Sequence, residues 1–126
     1  MKLESQVCSL DLSKRLKELG VAARGYFKWH FDPHHTWELC RSIEGWGGPE
    51  FAAFTVAELG VMLPANAWSN KDNVKGWKAT EAFYDDRRIH DERAETEADA
   101  RAKMLIHLIE QKLVTVEEVN ARLEAA

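Results

Sequence analysis

Hydrophobic residues recur at spacings of three and four in several parts of this chain, as they do in a helix with one buried face. Leu12, Leu16 and Leu19 share such a face, which predicts an amphipathic helix near the beginning of the chain. Ser9 is suited to cap the start of this helix, and Gly20 to end it in the left-handed conformation. We therefore predict that the helix packs its leucine face on the core.

Threonine marks the start of three further predicted helices. Thr55 and Thr115 are each followed three residues later by glutamate, the capping-box pattern in which a hydroxyl and a carboxylate satisfy backbone N–H groups. Thr96 precedes acidic residues in a first helical turn, where the helix dipole favours them. These signals predict helices over 55–63, from 96 onward and over 115–126.

A different period appears in residues 26–31, where three aromatic side chains alternate with Lys28 and His30. This alternation predicts a half-buried strand with its aromatic face turned toward the core. Residues 32–35 then form a predicted turn, and alternation resumes over 36–40. The two stretches together predict an antiparallel β-hairpin.

Glycine-rich and polar stretches separate the remaining elements. Residues 42–50 and 65–76 are predicted loops, whereas 77–84 has the composition of a strand whose partner is 88–92. The order of elements predicts an α+β fold, a single small domain over residues 1–126 with about four helices packed on antiparallel β-hairpins.

Composition and charge restrict the class of protein. The chain has 126 residues, of which 45% are hydrophobic, and its net charge of -4 argues against a dedicated nucleic-acid binder. Cys8 and Cys40 are the only cysteines, and we expect both to be reduced. The longest apolar-rich run, 104–109, is too short to span a bilayer, so we expect a cytoplasmic protein with no membrane partner.

Candidate metal ligands occur around the first predicted turn. His30, His34 and His35 lie on either side of it, with Asp32 or Glu38 as a possible third ligand. No zinc motif or second ligand cluster accompanies them, so we predict no metal and no cofactor.

Other catalytic signals are weak. His90 and His107 look isolated in the sequence, and the chain contains no recognisable nucleophile elbow or phosphate-binding loop. We therefore assign no catalytic residues and favour a protein that is not an enzyme.

Aromatic residues give the best binding candidates. The chain has five tryptophans, and Trp46 and Trp68 fall in predicted loops, where an exposed ring would mark a recognition surface. The alternative is that these rings fold back onto the protein as a lid. We take these two residues, with Arg87 and Arg88 of the charged stretch near the second hairpin, as the candidate binding residues.

Three segments carry a resemblance to a known family: VCSLDLSKRLKELGV (7–21), FTVAELGVMLP (54–64) and TEADARAKMLIHLIEQKLV (96–114). In this order the chain resembles a family of small uncharacterised phage and prophage proteins for which no activity is established. The resemblance implies a phage accessory protein in the host bacterial cytoplasm, and it assigns no functional residues.

Two functional hypotheses follow. In the first, the chain is a non-enzymatic accessory protein that binds a host or phage protein, in counter-defence or regulation. In the second, it binds a small molecule or nucleotide, or is a metal-dependent enzyme that uses His30, His34 and His35. The oligomeric state stays open, with a homodimer among the alternatives.

Overall fold

The computed structural model describes residues 2–31, 36–42, 50–72, 76–83 and 88–125. Within these ranges the chain forms four α-helices and two three-stranded antiparallel sheets, which confirms the predicted α+β fold. The helices are α1 (Leu10–Glu18), α2 (Val56–Met62), α3 (Glu97–Glu110) and α4 (Val116–Ala125). The strands are β1 (Phe27–Phe31), β2 (Trp37–Arg41), β3 (Glu50–Ala52), β4 (Ala67–Lys71), β5 (Trp77–Phe83) and β6 (Arg88–Ala94).

The first sheet has the strand order β2-β1-β3. The predicted hairpin of β1 and β2 is confirmed, and the rings of Phe31 and Trp37 face each other across it, 5.1 Å apart. β3 pairs with the other side of β1, where the sequence analysis placed the end of a loop. This strand was missed because it has only three residues, too few to show an alternating pattern.

The burial of β1 differs from the prediction. Lys28 is the buried residue of this strand, with only 3% of its surface exposed, whereas the aromatic residues are half-buried. Its Nζ lies 3.0 Å from Oε2 of Glu50, and Nδ1 of His30 lies 3.0 Å from the other carboxylate oxygen. The prediction was wrong because a buried lysine needs a partner, and the partner comes from the unpredicted β3.

The second sheet has the order β4-β5-β6. The predicted pairing of β5 with β6 is confirmed over its whole length, from Trp77 opposite Ala94 to Phe83 opposite Arg88. β4 contradicts the predicted loop at 65–76. Its polar composition concealed a strand because Ser69 points toward α3, where it donates a 2.6 Å hydrogen bond to Glu97 and accepts one from Arg101.

Most predicted helix ends are confirmed. Thr55 and Glu58 form the complete capping box, and Thr96 accepts a hydrogen bond from the backbone of Asp99. Gly20 has a φ of 101°, the left-handed conformation expected after α1. Ser9 holds the N-cap position of α1, but among the described residues its side chain makes no capping bond; its backbone N–H donates to Asp99 instead.

The core is built around α3. This helix packs on all three strands of the second sheet and also contacts α1 and α2. It buries three alanines and three larger residues completely: Ala98, Ala100, Ala102, Met104, Leu105 and Leu108. Alanines let the helix lie close to its neighbours, which fixes the position of its half-buried side chains over β6. In the described ranges, no helix is both long and apolar enough to cross a membrane.

Candidate functional site

Alternation along β6 gives this strand two chemically different faces. Side chains at successive positions of a strand point to opposite sides of its sheet. His90 and Glu92 therefore lie on the side covered by α3, and His90 Nε2 is 2.5 Å from Glu92 Oε2. Ile89 and Asp91 lie on the opposite, solvent-facing side.

α3 adds a second histidine to the inner side of β6. The ring of His107 stacks on that of His90, with centroids 3.6 Å apart and planes only 6° from parallel. One ligand atom from each of His90, Glu92 and His107 lies within 4.8 Å of the others, and all three residues are half-buried. We call these three residues the histidine–glutamate cluster.

The expectation that His90 and His107 are isolated is wrong. His90 lies in β6 and His107 near the end of α3, so the two residues are far apart in the sequence. The packing of α3 on β6 brings their rings together. One half of the cluster did have a signal in the sequence, since His90 and Glu92 are two residues apart in a predicted strand and must share a face.

A buried carboxylate lies beside the cluster. Glu81 of β5 is directly opposite His90 in the sheet and is only 1% exposed. Cross-strand neighbours of this kind have Cβ atoms about 4.5–5.5 Å apart. Glu81 therefore places a carboxyl group on the inner side of the sheet, opposite His90.

Solvent reaches the histidine–glutamate cluster through two small clefts. One, of about 190 Å³, is lined by both histidines together with Ile89, Gln111 and Leu113. The other, of about 420 Å³, includes His107 and Glu92 on the side of α1. A small ligand or ion therefore has access to the cluster from either side.

The opposite side of the second sheet carries two large exposed apolar side chains. Trp68 of β4 is 47% exposed and Ile89 of β6 is 68% exposed. Thr80 lies between them on β5, and its hydroxyl donates a 2.8 Å hydrogen bond to Asp91. We call this solvent-facing side, with Trp68, Asn70, Lys78, Thr80, Ala82, Ile89, Asp91 and Arg93, the open sheet face.

Only part of the predicted binding set can be placed. Trp68 is exposed as the prediction required, but it lies in an edge strand rather than in a loop. Arg88 begins β6, and its side chain is not described. Trp46 and Arg87 lie outside the described residues.

The predicted histidine turn is likewise only partly placed. His34 and His35 lie outside the described residues, as does Asp32. His30 lies on β1, where its ring bonds to the buried Glu50. The described residues therefore connect His30 with an ion pair of the first sheet.

A third region is an open groove of about 620 Å³. Its apolar lining residues include Phe27, Val56 and Trp77, and Glu95 and Glu97 also line it. Glu97 is already held by Ser69 and Arg101. The groove has the chemistry for a ligand with an apolar body and a cationic group.

Cys8 shows no sign of nucleophilic activation. Cys8 is fully buried, and burial is the main reason that the pKa of its thiol is raised from 9.0 to about 12. A reactive thiol instead has a lowered pKa and some exposure. Cys8 and Cys40 form no disulfide in the described residues, and the expected reduced state stays a prediction.

Comparisons with known proteins found no relative. No protein-family model matches the chain, and no curated protein or solved structure matches it either. The likeness to phage proteins therefore stays a prediction.

Proposed function

We propose that this chain is a non-enzymatic binding protein whose protein partner docks on the open sheet face. The observation that carries the proposal is the exposure of Trp68 and Ile89 on one side of the second sheet. When helices cover one face of an antiparallel sheet, the other face is normally polar. Large apolar side chains on such a face, surrounded by polar groups, are typical of protein-binding surfaces, and tryptophan often contributes most of the affinity.

The surroundings of Trp68 fit this kind of contact. On the same face, Asn70 is exposed and Arg93 is charged. The Nε atom of Arg93 lies 2.8 Å from the carboxylate of Asp72. A mixed rim of both charges around an apolar centre favours a protein partner over a nucleic acid, which requires concentrated positive charge.

β4 offers a second means of recognition. It pairs with β5 on one side, and no strand of the described residues pairs with its other side. The backbone groups of such an edge can pair with an extended segment of another chain. A partner that adds a strand to β4 would contact Trp68 at the same time.

The resemblance adds a biological setting to the proposal. A phage accessory protein in the host bacterial cytoplasm would bind a host or phage protein, in counter-defence or regulation. A protein that acts by binding needs a docking surface, and the open sheet face has the composition of such a surface.

The groove supports a second candidate function, the binding of a small molecule. Trp77 lines the groove, whereas Trp68 lies on the open sheet face. Tryptophan fluorescence of the variants Trp68→Phe and Trp77→Phe separates the two: a groove ligand perturbs the signal that Trp77 contributes, and a docked protein perturbs that of Trp68.

Site-specific photocrosslinking tests the main proposal. A photoreactive residue at Asn70, on the open sheet face, should form an adduct with one defined protein in cells that express the chain. The same residue at Glu18, whose side chain is 65% exposed on α1, should not. Identical adducts from both positions would contradict docking on the open sheet face.

Substitutions then show whether the apolar side chains are responsible. Trp68→Ser with Ile89→Ser should remove most of the Asn70 adduct, whereas Val61→Ser, at a 40% exposed position of α2, should leave it unchanged. Circular dichroism and urea unfolding check that each variant is folded. An adduct that is insensitive to the double substitution would rule out the proposed contact.

A further inference from the structure

We infer that the histidine–glutamate cluster is a binding site for a divalent transition-metal ion of the zinc class. Two imidazole nitrogens and one carboxylate oxygen are the donor set that proteins use for zinc and related metals when a coordination position stays open. His90 and Glu92 come from one strand and His107 from the helix packed on it. The site faces α3, and the inference is independent of docking on the open sheet face.

The distances require only a small adjustment. Ligand atoms of a tetrahedral zinc ion with bonds of about 2.0–2.1 Å are separated by roughly 3.3–3.4 Å. The three candidate atoms already lie within 4.8 Å of one another. His90 Nε2 and Glu92 Oε2, at 2.5 Å, must separate by about 1 Å, since two ligands of one ion are farther apart than a hydrogen-bonded pair.

The stacked rings must also change. The lone pair of an imidazole nitrogen lies in the plane of its ring, so two parallel rings 3.6 Å apart cannot both point at one ion. Rotation about χ2 of histidine is easy because this torsion has broad minima. The cleft of about 190 Å³ beside His107 gives one ring room to tilt. Loss of the stack is therefore part of the inference.

The acidic residues at the site suit a cation. Glu92 belongs to the cluster, and the buried Glu81 lies directly opposite His90, so two carboxyl groups accompany the two imidazoles. A histidine that binds a metal usually donates its second ring N–H to a carboxylate, which fixes the ring. As the cross-strand neighbour of His90, Glu81 is assigned this positioning role in the inference.

Nearby cationic side chains are held by other groups. Arg15 lines the same cleft as Glu92, but its guanidinium bonds to Glu18 and Glu110, at 3.2 and 3.0 Å. Lys103 donates a 2.9 Å hydrogen bond to the backbone oxygen of Arg93. In the described part of the chain, these two cationic side chains are therefore engaged away from the Glu92 carboxylate, which contacts His90.

Titration of the untagged, EDTA-treated full chain with Zn²⁺ and with Co²⁺ tests the inference. We expect calorimetry to show saturable binding of one ion per chain. With Co²⁺ we also expect the visible absorption that is typical of a four-coordinate site. His90→Ala and His107→Ala should each weaken Zn²⁺ binding by at least ~100-fold. Glu81→Gln should weaken it by about 10- to 100-fold without abolishing it, as expected for a positioning residue.

His30→Ala is the matched control, because His30 also bonds to a glutamate but lies on the other sheet. It should leave Zn²⁺ affinity unchanged, and thermal unfolding in EDTA checks that all variants are folded. The inference is overturned by an absence of saturable binding, including the case where the cluster titrates only protons. It is equally overturned if His90→Ala and His107→Ala bind zinc as the unaltered chain does.

Discussion

Replacing Lys28 by methionine tests the ion pair that determines which face of β1 is buried. The Lys28 and Glu50 side chains are 3% and 6% exposed, and their charged atoms are 3.0 Å apart. With an effective dielectric constant of about 20, this separation corresponds to about 5–6 kcal/mol of attraction. Removal of the ammonium leaves the buried Glu50 carboxylate without this ion pair, although His30 still contacts it. We therefore expect the free energy of unfolding to fall by about 3–5 kcal/mol, as when other buried pairs are broken.

The double variant Lys28→Met with Glu50→Leu isolates the pair itself. Because both charges are then absent, we expect its stability to return to within about 1–2 kcal/mol of the unaltered chain. Urea unfolding followed by tryptophan fluorescence measures all three variants. Arg24→Ala is the control, since its ion pair with Glu124 is exposed and should contribute less than about 1 kcal/mol. The reasoning would be refuted if the double variant lost as much free energy of unfolding as the two single variants together.

Three further predictions concern the core and the backbone. Leu16→Ala should cost about 2–4 kcal/mol by opening a cavity at a 1% exposed site, whereas Leu3→Ala, at 37% exposure, should change stability little in urea unfolding. Gly76→Ala should destabilise by more than about 1 kcal/mol, because φ is 80° and an added Cβ would lie 2.4 Å from the carbonyl oxygen of Ala94; an unchanged melting temperature would contradict this. Cys8 should resist alkylation at pH 8 until the chain is unfolded. Because the pKa of the Cys8 thiol is raised in the folded chain, its contribution to the free energy of unfolding is complete below pH 9 and is lost toward pH 12. The Cys8→Ala variant should therefore lose less stability than the unaltered chain between pH 9 and pH 12.

Local signals in the sequence predicted the elements whose boundaries depend on neighbouring residues. The capping box of Thr55 and Glu58, the leucine face of α1 and the alternation of β1 all interact within one helix or hairpin. The fold class, the four helices and the β1–β2 and β5–β6 pairings could therefore be predicted from the sequence.

The features that the sequence did not predict have a common physical cause. β4 is polar because Ser69 is satisfied by α3, and Lys28 is buried because Glu50 arrives from β3. His90 and His107 meet only when α3 packs on β6. In each case the decisive partner is distant in the sequence, so no local pattern could reveal it.

Trp68 illustrates an intermediate case. Its polar neighbours made it a candidate for exposure, and the ring is exposed although it lies in a strand rather than in the predicted loop. The position of Ile89 across the same face depends on the register of three strands, which the sequence alone did not provide.

The affinity of the partner captured through Asn70 tests the central proposal most directly. Calorimetry with the purified partner should show that Trp68→Ala weakens binding by about 30-fold or more, the loss expected when an interface tryptophan is removed. Val61→Ala, at an exposed apolar position outside the open sheet face, should bind as the unaltered chain does. Equal affinity of the Trp68→Ala variant and the unaltered chain would contradict the proposal that partners dock on the open sheet face.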